Sequence, residues 1–208
     1  MAGKKFLLVE GVDDKHVMGH ICGNRGIPPL DEIKDYDGVD DLLKRLPVRL
    51  KMGEGDIIGV VIDADTDLGS RWEAIRHLLI RNGYAGVPTT PSHEGTILDP
   101  PADTLLPRVG LWIMPDNRTT GILEDFLRFL VPEGSVLFRH ATESVATIPA
   151  GERRFGEAAR PKATIHTWLA WQEKPGKPLG TAITARYLDP TVPQVDVLVS
   201  WLKTLFFP

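Results

Sequence analysis

Cysteine is almost missing from this chain: Cys22 stands alone among 208 residues. No internal disulfide can form, and neither a zinc ribbon nor an iron–sulfur framework has its ligands. A reducing compartment suits such a sequence, and the expectation is a cytoplasmic protein. Long apolar runs are missing too. No stretch approaches the roughly 20 apolar residues of a membrane span, and Met-Ala-Gly-Lys-Lys leads straight into strand-forming residues, so neither membrane contact nor a secretory leader is expected. Positive charge is not in excess either. With 24 Lys and Arg against 28 Asp and Glu the net charge is −4, which argues against a strong nonspecific grip on DNA or RNA through side chains alone. A P-loop lysine motif, internal repeats and low-complexity tracts are all absent.

What the sequence does hold is a pair of acidic motifs at the ends of two strand-like runs. Leu7-Leu8-Val9 breaks into Glu10-Gly11-Val12-Asp13-Asp14, and Ile58-Gly59-Val60-Val61-Ile62 breaks into Asp63-Ala64-Asp65-Thr66-Asp67. Each break precedes a helical pattern, and in open α/β sheets ligands bind outside the carboxyl ends of the strands. Glu10, Asp14, Asp63 and Asp65 are thereby expected in one cluster, where their mutual repulsion calls for a hard cation, Mg²⁺ or Mn²⁺.

Strands are expected over Lys5–Val9, Leu30–Asp35, Asp56–Ile62 and Val109–Met114, with a short one near Thr96–Leu98 in a Pro- and Gly-rich loop over the active face. Helices are expected from Asp13 to about Gly23, from Val39 to about Leu50 with Pro47 tolerated only near the end, and from a Ser70-Arg71-Trp72-Glu73 capping box to Asn82. Further helices are expected at 122–130, 162–173 and 195–206, with a mixed region after residue 130. Alternation at this spacing gives α/β: a Rossmann-like, mostly parallel sheet flanked by helices, with a helical C-terminal extension. Residues 1–135 form the core and 136–208 the extension packed on it.

Helical phase weighs the acidic residues one by one. Asp14 shares the stripe of Val17, Met18 and Ile21, which directs it toward the sheet where Glu10 emerges; its ordinary alternative is a cap or dipole partner. Asp63 and Asp65 share a face if the pleat persists, against the alternative of turn residues. Asp67 reads as a turn or cap. Glu124 and Asp125 lie off the apolar face of their helix, where a first turn needs no special reason for acid, and Asp116 is a rival at the preceding strand end. Lys162 shares a stripe with Ile165, His166 and Leu169, against the alternative of a snorkelling surface lysine. His16 and His20 have the spacing of a metal pair but sit on the flank of the first helix, away from Asp14, so no zinc role is assigned.

The glutamate motif, the Asp63-Ala64-Asp65 motif and the block Met114-Pro115-Asp116-Asn117 with Leu123-Glu124-Asp125, in that order, resemble the Toprim domain shared by topoisomerases, primases and overcoming-lysogenization-defect nucleases. The resemblance runs from Lys4 to about residue 130, and more loosely through Lys162. It implies a Toprim fold and raises Glu124 to a metal ligand. It also implies two ions, one held by Asp63 and Asp65 and the other by Glu10, Asp14 and Glu124, with Glu10 and Lys162 catalytic, Lys162 at the scissile phosphate. A topoisomerase reading lacks a setting for its tyrosine in Tyr36, Tyr84 or Tyr187, and a primase reading lacks the accessory domains.

The expected function is therefore a metal-dependent nuclease acting on DNA or RNA, its ATPase partner, where one exists, being a separate protein. The alternative is a Toprim module that binds metal and nucleotide or nucleic-acid ends as a regulatory partner. Arg153, Arg154 and Arg160 are candidates to track a phosphate backbone. The stripe of Leu198, Leu202, Leu205 and Phe206 must be covered, either by the core or by a second copy in a homodimer.

Overall fold

The computed structural model describes residues 3–52, 55–102 and 104–208. Five strands form one sheet: β1 (Lys5–Val9), β2 (Glu32–Asp35), β3 (Ile57–Asp63), β4 (Thr96–Leu98) and β5 (Arg108–Met114). Their order is β2-β1-β3-β5-β4, parallel except for β4, which runs antiparallel to β5. The fold is α/β with a mostly parallel sheet, as expected. The chain steps from β1 outward to β2 and then returns to place β3 on the other side of β1. Strand order reverses there, and the crevice between the carboxyl ends of β1 and β3 is the topological switch point at which α/β sheets take ligands.

Both sheet faces are apolar because the strands alternate within near-continuous hydrophobic runs. Phe6 and Leu8 face α2 (Gly38–Met52) and α3 (Leu68–Arg81), while Leu7 and Val9 face α1 (Val12–Asn24), α4 (Leu123–Phe129) and the C-terminal helices. Those are α5 (Val136–Ala146), α6 (Arg160–Ala170), α7 (Leu179–Thr184) and α8 (Pro193–Phe206). Among the described residues no helix is long and apolar enough to cross a membrane.

The stripe of α8 is covered within the chain. Gly59 and Gly110 are register partners in β3 and β5, and together they leave a floor without side chains. A methyl group on Gly110 would lie 2.4 Å from Leu205 Cδ2, and one on Gly59 2.9 Å from Phe206 Cζ. The helix packs onto bare backbone, burying Leu198, Leu202, Leu205 and Phe206; it needs no second copy to do so.

Three local expectations change. Pro47 sits inside α2, which continues to Met52. The missing backbone donor costs about 3 kcal/mol, but Leu42, Leu46 and Leu50 are fully buried and each offsets this by roughly 1.5–3 kcal/mol. α3 begins at Leu68 rather than at a Ser70 box, because Asp67 caps it, accepting from Ser70 N at 2.9 Å and Ser70 Oγ at 2.6 Å. The region after 130 contains two helices that composition hid. α5 packs Phe138 and Ala141 against the core and also buries Val145, whereas α7 is six residues long and too short to show a period.

Candidate metal centre at the switch point

β1 and β3 pair in register from Lys5–Ile57 to Val9–Val61, so Glu10 and Asp63 leave the sheet side by side. The Asp63 backbone N–H donates to Glu10 Oε1 at 2.7 Å, which fixes the glutamate across the end of the neighbouring strand. α1 then starts at once, and its first turn places Asp14, only 8 % exposed, beneath the same crevice.

α4 is brought in by a short antiparallel bridge. Asp65 N donates to Gly121 O at 2.9 Å and Gly121 N to Asp65 O at 2.8 Å, tying the end of β3 to the segment that opens α4. Asp125 caps that helix, accepting from Ile122 N at 3.1 Å. Glu124 is thereby turned inward and is 4 % exposed. Helical phase, which put Glu124 off the apolar face, misplaced it because a second buried surface, the α4–α6 contact, flanks that face. Lys162 reaches over from α6, with Nζ 3.5 Å from Glu124 Oε1 and 3.8 Å from Asp13 Oδ2. Asp14, Asp63, Glu124 and Lys162 line a cavity of about 240 Å³.

Asp65 does not join them on this face. Its φ of 51° breaks the pleat, so the alternation that was expected to align it with Asp63 ends one residue too soon. Its carboxylate is half exposed and ion-paired with Arg71 in the first turn of α3. Arg71 is the residue sequence reasoning missed. A cation in a helix's first turn opposes the macrodipole, and that misfit was a readable sign of an anion held across the fold.

The remaining candidates are occupied elsewhere. Asp116 Oδ1 accepts from Arg118 N, Thr119 N and Thr119 Oγ1 at 2.9–3.0 Å, a self-contained turn. Arg153 and Arg160 pair with Glu157, and Arg154 lies within 3.9 Å of Glu152, so neighbouring glutamates offset the positive charge that a phosphate backbone would meet there. His20 Nδ1 lies 2.8 Å from Thr184 Oγ1 at the contact of α1 with α7. That contact is close because Gly180 has no side chain; a methyl there would lie 2.5 Å from His20 Cδ2.

Electrostatics set Asp14 and Asp63 apart. Burial, then the charges of Asp14 and Glu10, push Asp63 up to about 9. Burial, then Glu10, push Asp14 up to about 7, with Glu124 and Asp13 acting in the same direction. Glu10 is raised by burial but relieved by the Asp63 N–H and by Arg71. Asp63 Oδ1 is buried without a hydrogen-bond partner among the described residues, an arrangement that costs about 1–3 kcal/mol or more unless something fills the gap. An all-oxygen donor set around such an orphan fits Mg²⁺ or Mn²⁺ better than a softer metal. Among the described residues no three His, Cys, Asp or Glu side chains already converge on one point.

A larger cavity of about 1160 Å³ lies against β2 and α2. It shares only Val12 with the acidic cavity, and its basic side chains are matched by Asp35, Asp37, Asp41 and Asp56. The profile of one protein family, described as a protein of unknown function (DUF3226), matches residues 4–207. No curated protein and no solved structure matches the chain.

Proposed function

This chain belongs to the DUF3226 family, and we propose that it is a divalent-metal-dependent phosphodiester hydrolase acting on nucleic acid. The observation that carries the reading is the buried Asp63 Oδ1 at the switch point, without a hydrogen-bond partner among the described residues, on a residue that lines one cavity with Asp14, Glu124 and Lys162. The order of acidic motifs that resembles Toprim domains supports it independently.

Asp63, Asp14 and Glu124 would hold Mg²⁺ or Mn²⁺. When bound, the cation supplies Lewis-acid stabilisation of a phosphoryl oxygen. Glu10 stands at the edge of the cluster with Oε1 on the Asp63 N–H, leaving its second oxygen to orient a water and take its proton. Lys162, half exposed at the rim, meets the phosphate from the solvent side and offsets charge developing on its oxygens.

Incubation of the full chain with single- and double-stranded DNA and RNA in Mn²⁺ tests this, with Glu10→Gln as the control. Cleavage lost in that variant supports hydrolysis. A second reading, a module that binds metal and nucleic-acid ends without turnover, is favoured by the pairing of Arg153, Arg154 and Arg160 with glutamates, which leaves no broad basic groove there. Metal and end binding without cleavage replaces the hydrolase by that module.

A further inference from the structure

Arg71 lies on the opposite flank of the cluster from Lys162, and its environment differs. Its side chain is 17 % exposed, against 52 % for Lys162. Its terminal nitrogen is bound to Asp65 Oδ2, and its Nε is buried with no partner. A guanidinium held this far from water is not a surface ion pair of marginal worth; it is committed to the anions around it. The anion in contact with it is Asp65, and the guanidinium also favours the charged form of the nearby Glu10 carboxyl.

The two-ion arrangement implied by the Toprim resemblance needs free carboxylates on both flanks of Asp63. On the α1–α4 flank Asp14, Asp63 and Glu124 line one cavity, and the cation there, Lys162, is half exposed at its rim. On the α3 flank the positive charge is already present as protein. Asp65 is turned toward it by a left-handed backbone that two hydrogen bonds to Gly121 hold in place. A second divalent ion would have to displace a mostly buried guanidinium from a contact made by construction.

We infer that the centre takes one divalent cation, on the Asp14–Asp63–Glu124 flank, and that the Arg71 guanidinium serves in place of a second ion on the Glu10–Asp65 flank. This rests on the metal-site reading above. Arg71 acts as a positioning residue: it fixes Asp65 and keeps charge balanced beside Glu10 without touching substrate. Fixed cationic charge of this kind is always present, since an arginine does not deprotonate; a bound ion would come and go with its concentration.

Mn²⁺ titration calorimetry on the full chain, without substrate, tests the inference. The wild type should bind one ion per chain. Asp63→Asn should weaken binding by more than about 100-fold, beyond the range of an outer-shell partner, and Asp65→Asn by less than about threefold. Arg71→Gln should admit a second ion, and Arg71→Lys, which keeps the charge, should return the count to one. A wild type that binds two ions, with Asp65→Asn as damaging as Asp63→Asn, overturns the role of Arg71 while leaving the metal centre intact. A wild type that binds none removes both. The wild-type count and the two aspartate variants decide the matter even if Arg71→Gln does not fold.

Discussion

On the α3 side of the switch point each carboxylate has a partner: Asp65 has Arg71, and Glu10 has the Asp63 N–H. On the α1–α4 side Asp14 and Asp63 are packed among other acids, and Asp63 Oδ1 has no partner at all. Both sides are built from the same residue types at equivalent strand ends. The difference is in the positive charge supplied: Arg71 on one side is mostly buried and bound to Asp65, whereas Lys162 on the other is half exposed and 3.5 Å from Glu124. On the proposed reading the cation binds the flank whose carboxylates lack a paired positive charge, since binding there would relieve repulsion that folding alone leaves standing.

The largest effect expected is on turnover. Glu10→Gln keeps an oxygen for the Asp63 N–H and so keeps the fold, but the amide cannot accept a proton. Mn²⁺-dependent cleavage should fall on the order of 10²–10⁴-fold with an unchanged circular dichroism spectrum. Retained cleavage would assign the base elsewhere and would remove the functional distinction drawn for the paired flank.

Next is stability. At a hundredfold excess over its Kd, Mn²⁺ should stabilise the fold by about 2.7 kcal/mol, raising Tm by roughly 5–10 °C for a chain of this size. Asp63→Asn should abolish the rise. Proton linkage gives the same contrast a second form. Asp63 and Asp14 are raised to about 9 and about 7, so their contribution to stability is intact below the ordinary carboxylate pKa of about 4 and is lost as pH rises through the folded values. Metal-free wild type should therefore lose stability from about pH 4 to about pH 9, and Asp63→Asn should lose less, because the amide has no proton to give up. Differential scanning fluorimetry across that range, with and without Mn²⁺, reads both effects. Equal slopes for the two proteins would mean that the unpaired flank carries no frustration.

Lys162→Met should slow cleavage by roughly 10- to 100-fold, the effect of an interaction made mainly in the transition state, with Mn²⁺ affinity changed by less than about threefold. A large loss of affinity instead would make the lysine part of the metal centre's framework. The smallest effect is expected at Asp67, which caps α3 but touches neither flank's charge. Asp67→Ala should cost about 1 kcal/mol in urea denaturation and leave Mn²⁺ binding unmoved. A change in binding would show that the start of α3, and with it Arg71, is less firmly set than its burial indicates.

The sequence by itself determined the strands, the α/β class and the presence of acids at the ends of β1 and β3, because unbroken apolar runs and the residues that interrupt them are local facts that need no partner. It also carried Asp14, since a charge on a buried stripe is visible in the helical period. Tertiary structure alone decided the rest. Glu124 faces inward because α6 covers a second side of α4, which no period of α4 encodes. Asp65 faces away from Asp63 because a bridge to Gly121, 56 residues later in the chain, holds its backbone left-handed and ends the pleat. Arg71 completes the contrast: its misfit with the helix dipole was written in the sequence, but the anion that explains it is set by how β3 and α3 meet. Pairing of charge depends on distance in space, and a chain states only distance along itself.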